Sequence, residues 1–289
     1  MLSSNASPIA SPRHQASVLG VPIDVLTARQ AVERIAAWAR AGQSRVVVAC
    51  NAHSVVTAAR DPSFMAALRR ADLALPDGAP VAWMVGRQGE VRQARIAGPD
   101  LMHDYCALAA SRGEAIFLLG STPATLTQLQ TRLCAQWPGL RIAGAISPPF
   151  RAMTTAEDAS LVNALNASGA GTVWVGLGCP KQELWMDAHR DHVAAVMVGV
   201  GAAFDFHAGT LSRAPNWMRR NGLEWLHRLI HEPRRLSGRY LRSNSAFIAL
   251  AIAQCWQLRR PRQQAQPASA ATANADAAAN ADTTVATKD

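Results

Sequence analysis

Asp77 stands between Pro76 and Gly78 in Leu75-Pro-Asp-Gly-Ala-Pro80, directly after a short apolar run. The flanking proline and glycine force a turn, so the carboxylate is presented where the run ends. One well-placed carboxylate is what a general base needs to take a proton from an attacking hydroxyl. Asp-Gly is also a common β-turn or helix N-cap pair, and the short motif leaves both uses open. Gly176-Leu-Gly-Cys-Pro-Lys-Gln-Glu183 forms a second constellation. Its glycines let a ligand approach the backbone, Pro180 suits a first helical turn, and free N–H groups with Lys181 favour phosphate. A tight strand-to-helix turn capped by Glu183 would use the same residues. Arg95, near Gly98-Pro-Asp100, is a cation for the same crevice or a surface arginine beside a turn. Asp205 and His207 are a candidate pair, or a structural turn and a satisfied histidine.

Several chemistries lack their residues. Gly199-Val-Gly201 has Phe204 where a dinucleotide fingerprint needs its third glycine. A nicotinamide-dependent oxidoreductase therefore stands only as an alternative. The eight histidines contain no HExxH, and no Asp-x-Asp pair exists to hold a divalent metal on a nucleotide diphosphate. Neither a metal nor a cofactor is expected. The five cysteines are scattered without a CxxC, which fits a reducing compartment.

The elements that position these residues follow from alternating patterns. Arg45–Ala49, Leu73–Leu75, Ala115–Leu119, Leu140–Ala145, Thr172–Val175 and Ala194–Val198 read as buried strands. Helical spacing follows Asn51, fills Pro123–Trp137 and Thr155–Asn166, and opens again at Pro180. Continuous apolar strands alternating with helices predict a Rossmann-like α/β fold, a mostly parallel sheet with helices on both faces. Ligands of such sheets bind outside the carboxyl ends of the strands. Asn51, Asp77, Gly120, the Gly176–Gln182 segment and Asp205 all fall there. At 289 residues and 49% apolar content the chain can bury one sizeable core.

The stretch from Arg213 to Arg262 holds eleven arginines against Glu224 and Glu232, a net +9, and the whole chain is also +9. The charge is thus local, interleaved with Trp217, Trp225, Leu226 and Leu229, and followed by the eleven-residue apolar run Ala246–Trp256. That run is short of the roughly 18 to 20 residues that span a bilayer. Basic and apolar together suit an anionic membrane surface or a lipid-linked diphosphate; a solvated basic face and a nucleic-acid-binding module are the alternatives. The N-terminus has no apolar signal-peptide region. The expected layout is a disordered 1–16, an α/β core 17–212, a basic helical appendage 213–262 and a disordered tail 263–289.

Nine segments in order resemble the WecG/TagA/CpsF family of bacterial glycosyltransferases. They are Asn51 with its helix, Asp72-Leu-Ala-Leu-Pro-Asp77-Gly78, Arg95-Ile-Ala-Gly98-Pro-Asp100-Leu101, Phe117-Leu-Leu-Gly120, Gly176–Glu183, Gly199–Asp205, Arg213-Ala-Pro-Asn-Trp217, Leu223–Leu226 and Glu232-Pro-Arg-Arg235. The resemblance implies inverting, metal-independent transfer of a hexose or N-acetylhexosamine from a UDP-sugar to a polyprenyl-diphosphate-linked saccharide. It makes Asp77 the base and has Asn51 position donor or acceptor. The substrate-binding residues would be Arg95, Gly120, Gly176, Gly178, Pro180, Lys181, Gln182 and Asp205. Arg228, Arg235 and Arg239 would contact diphosphate; Gly238-Arg239-Tyr240 stands where members often read Arg-Arg-Tyr. It further implies a cytoplasmic protein, peripheral on the inner face of the plasma membrane, with no nucleic-acid partner, and leaves a homo-oligomer open.

Overall fold

The structure, a computed structural model, describes residues 13–89 and 92–259. It begins with an antiparallel hairpin of β1 (Gln15–Val18) and β2 (Val21–Asp24), followed by α1 (Ala28–Arg40). Then come β3 (Arg45–Cys50), α2 (Ala52–Ala58), α3 (Pro62–Arg70), β4 (Leu73–Pro76), α4 (Ala79–Gly86) and α5 (Gly98–Arg112). The second half of the sheet is built from β5 (Ala115–Gly120), α6 (Pro123–Gln136), β6 (Arg141–Ile146), α7 (Thr155–Ala167), β7 (Thr172–Gly176), α8 (Lys181–Ala188), β8 (Val196–Gly199) and α9 (Ala203–Ala208). Strand order is β4-β3-β8-β7-β5-β6, and every neighbouring pair is parallel. This is the expected Rossmann-like α/β sheet.

Side chains alternate between the faces of a strand, so a doubly covered sheet needs apolar residues at every position. Val47, Leu73, Leu75, Ile116, Leu118, Trp174 and Val198 pack into one core with residues of α1, α5, α6 and α9. The intervening Val46, Val48, Leu119, Val175 and Met197 are equally buried, on the face covered by α2, α3 and α8. The chain parts between β5 and β7, because α6 leaves towards one face and α8 towards the other. There Gly120, at φ +121°, lies so close to Gly176 that a Cβ would sit 2.6 Å from the Gly176 carbonyl carbon.

The hairpin corrects the expected N-terminal boundary of 16, which falls inside β1. Asp24 is 2% exposed, and such a charge needs a partner. Arg13 supplies it, donating from Nε to Asp24 Oδ1 at 2.9 Å and from Nη1 to the Ala71 carbonyl at 3.1 Å. Order therefore starts no later than Arg13. The expected disordered stretches otherwise fall outside the described residues.

Beyond the sheet lie α10 (Asn216–Arg220), α11 (Glu224–His231) and α12 (Pro233–Arg259). The chain divides into a unit ending at Ile252 and a second unit from Ala253, of which the last turns of α12 are described. Among the described residues no helix is long and apolar enough to cross a membrane.

Candidate functional site

Asn51 is the first residue after β3, and its local chemistry decides how it points. Its Oδ1 accepts from the backbone N–H of His53 at 3.0 Å and of Ser54 at 3.1 Å, and the Ser54 hydroxyl returns a bond from the Asn51 N–H at 2.8 Å. This capping box starts α2. With its oxygen committed to the helix, the amide group left for the neighbouring strand end is NH₂, a donor. The acceptor there is the Asp77 carboxylate, whose pKa the Asn51 side chain lowers. The Asp77 N–H in turn donates to the Cys50 carbonyl at 2.9 Å, which ties the ends of β4 and β3 together.

Arg95 completes the group. The next residue, Ile96, donates its N–H to the Pro76 carbonyl at 3.0 Å, so the segment leading to α5 runs beside the end of β4. Arg95 Nη1 donates to Glu224 Oε2 at 2.7 Å, and Arg213 Nε stands 3.6 Å from Glu224 Oε1. Arg213 also bonds Asp100 at 2.7 Å, with Arg219 3.4 Å from the same carboxylate. Asp100 is a helix-start residue held below the usual carboxylate range: burial opposes its ionisation, but the hydrogen bond and charge of Arg213, then Arg219, outweigh it.

Asp77 behaves in the opposite way. It keeps part of its surface open, yet burial of the carboxyl is the dominant influence and raises its pKa to about 6. The Arg95 charge pulls it down, the Glu224 charge pushes it up, and the hydrogen bonds from Asn51 and the Gly78 N–H pull it down. A carboxylate titrating this close to neutrality, with one oxygen on an amide donor, can accept a proton from a neutral hydroxyl.

The glycine-rich residues form a second group along the same edge. Gly178 N–H donates to Gln182 Oε1 at 3.2 Å and Gly201 N–H donates to it at 3.1 Å, while Gln182 Nε2 donates to Glu183 at 2.8 Å. Gln182 is 4% exposed and clamps the turns after β7 and β8 together, so its polar atoms are spent within the protein. Glu183 is buried beneath it, and that burial raises its pKa. Pro180, after a cis peptide bond, caps α8, and Lys181 is exposed at its first turn. Three strand spacings of about 4.8 Å separate β4 from β7, so Asp77 and the Gly176 turn stand about 14 Å apart along the edge.

Asn51, Asp77 and Arg95 thus come together, and Gly120, Gly176, Gly178, Pro180, Lys181 and Gln182 gather farther along. Asp205 lies in the first turn of α9, where its carbonyl accepts from the Thr210 hydroxyl at 3.1 Å. His207 bonds the Pro99 carbonyl at 2.9 Å, and burial lowers its pKa. Arg228 lies 5.5 Å over the Phe206 ring and 3.5 Å from Glu232. Arg235 and Arg239 lie on α12, and their side chains are outside the described residues. Among the described residues no three His, Cys, Asp or Glu side chains form a metal-holding group. Glu224 is the residue that sequence reasoning missed; its signal was its rarity, one of two acids in a basic stretch.

Fold and site define an α/β protein whose polar residues collect at the carboxyl ends of a parallel sheet. The chain belongs to the glycosyl transferase WecG/TagA/CpsF family, whose sequence profile matches residues 16–261. It is therefore a glycosyltransferase of cell-surface polysaccharide synthesis.

Proposed function

We propose that the protein transfers a hexose or N-acetylhexosamine from a UDP-sugar to a polyprenyl-diphosphate-linked saccharide, with inversion and without a metal. The observation that carries this reading is the Asp77 carboxylate, raised towards neutrality and held by Asn51 at the end of β4. Asp77 takes the proton of the acceptor hydroxyl while its oxygen forms a bond to the anomeric carbon of the donor. The bond from that carbon to the diphosphate oxygen breaks on the opposite face, and its electron pair leaves with UDP. Developing charge on the diphosphate needs fixed donors and cations. Lys181, exposed on the Gly176–Gln182 turn, supplies part of them, and Arg228, Arg235 and Arg239 the rest. Residues 213–262 act as a basic appendage to the 17–212 core, at the inner face of the plasma membrane.

Incubation with a panel of labelled UDP-sugars and a lipid-diphosphate-linked saccharide tests the reading. Label should pass to the lipid-linked product from one donor, with the anomeric configuration inverted, and EDTA should leave the rate intact. Loss of activity in EDTA with rescue by manganese or magnesium contradicts the metal-free mechanism. Absence of transfer from every UDP-sugar contradicts the donor class.

A further inference from the structure

The basic segment after residue 212 reaches the Asp77 site with an acid. Glu224, in the first turn of α11, is 14% exposed at its side chain, and its ion-pair partner Arg95 is 18% exposed. The approach is close: Gly222, at φ +72°, packs on the first residue of α4, and a Cβ there would sit 2.7 Å from the Ala79 Cβ. One residue, Gly78, separates Asp77 from that contact, and one, Leu223, separates Glu224 from it. Arg213 bridges Glu224 and Asp100, which fixes the Glu224 carboxylate from its other side.

We propose that Glu224 is a positioning residue for the transfer reaction, occupying Arg95 so that this guanidinium stands beside Asp77 without pairing to it. The inference deepens the reading of Asp77 as the base and rests on it. Glu224, Asp77 and Asp100 all feel the Arg95 charge, and with Asp100 held by Arg213 and Arg219 the competition lies between Glu224 and Asp77. A half-buried arginine without Glu224 would turn to another carboxylate, and a direct pair with Asp77 would hide its lone pairs and weaken it as a base by one to three pH units or so. The groups facing Asp77 are the Asn51 amide from α2, the Gly78 N–H, Arg95 from the segment before α5, and Glu224 from α11. Behind it lies the Cys50 thiol, which burial, then Glu183 and Asp77, hold in its neutral form. Of these groups, only Arg95 and Glu224 carry the opposing charges whose pairing decides the state of the base.

Carboxyl-carbon NMR titration of full-length protein labelled at aspartate measures the effect without substrate, with Asp77 assigned by the signal missing from Asp77→Asn. Glu224→Gln should lower the Asp77 midpoint by about one pH unit, and kcat should fall about tenfold with little change in donor KM. In an Arg95→Gln background the same change should move the midpoint far less, because the competing guanidinium is gone. Glu224→Asp, which keeps the charge on a shorter stem, should give a midpoint between wild type and Glu224→Gln. An unchanged midpoint in Glu224→Gln, or in Glu224→Asp should the first variant not fold, overturns the role. Equal shifts with and without Arg95 also overturn it, since Glu224 would then act only as a distant charge. Because the titration needs no donor sugar, it stands or falls separately from the transfer assay.

Discussion

In the sheet core, charges close on one another: Arg13 meets Asp24, Arg45 and Arg190 share Asp72, and Arg70 pairs with Asp187. The segment from Arg213 onward does not balance itself. Its described acids, Glu224 and Glu232, meet Arg213 and Arg228 inside the segment, and further contacts reach outward, from Arg213 and Arg219 to Asp100 and from Glu224 to Arg95. Apolar residues divide in the same way. Trp174, Phe204 and Leu75 are sealed in the core, whereas Trp217, Ile230, Leu241 and Ile252 are each more than half exposed. The core builds the carboxylate and supplies its two strongest influences, burial and the Arg95 charge, while the segment adds the Glu224 charge and exposes a basic, apolar surface.

The sharpest break of this division is Asp77→Asn, which keeps the shape and removes the basicity. Transfer should fall by about 10² to 10⁴-fold in an initial-rate assay; near-normal turnover would mean that the core does not supply the base.

The same variant should gain stability. Asp77 has a folded pKa of about 6 against an ordinary 3.8. Between those values the folded state binds more protons than the unfolded one, so stability falls as pH rises through that window. Above pH 7 the ionised carboxylate costs up to about 3 kcal/mol. Asp77→Asn should accordingly resist urea better than wild type at pH 8, and the difference should shrink towards pH 4.

A substitution confined to the core should show the reverse pairing of effects. Gly120→Ala drives a Cβ into the Gly176 backbone at a φ of +121°, and a loss of about 1–3 kcal/mol is expected in denaturant melts. In the segment, Ile252→Ser on the exposed side of α12 should change stability by less than about 0.5 kcal/mol. It should instead weaken co-sedimentation with anionic liposomes at low salt. Binding of the wild type should itself weaken as salt rises, since each basic residue near the leaflet contributes about 1 kcal/mol. Indifference of the full-length protein to anionic liposomes at low salt would leave the segment as a plain basic surface.

Much of this arrangement was legible from residue patterns, for identifiable reasons. Strands covered on both faces must be continuously apolar, so β3, β5 and β7 stand out. Asn51, Asp77, Gly120 and Gly176 follow such runs directly, and the parallel sheet brings their ends to one edge. The β1–β2 hairpin was not legible. Its strands have four residues each, and its tight turn uses Leu19 at positive φ rather than an Asn-Gly signal. The bond from the Gly201 N–H to Gln182 was not legible either, because Gly201 lies 19 positions away in sequence. Glu224 lies 129 positions from Arg95, and no local pattern announces a pair that only the docked segment creates.

The pH dependence of kcat/KM for sugar transfer measures the ionisation of Asp77 most directly. The free enzyme's essential base sets the acid limb of that profile. The wild type should hold a plateau above pH 7 and lose activity about tenfold per pH unit below a midpoint near 6, and Asp77→Asn should show only a low residual rate without that limb. A wild-type rate that stays level from pH 7.5 to pH 5, or an acid limb that survives in Asp77→Asn, would contradict Asp77 as the base.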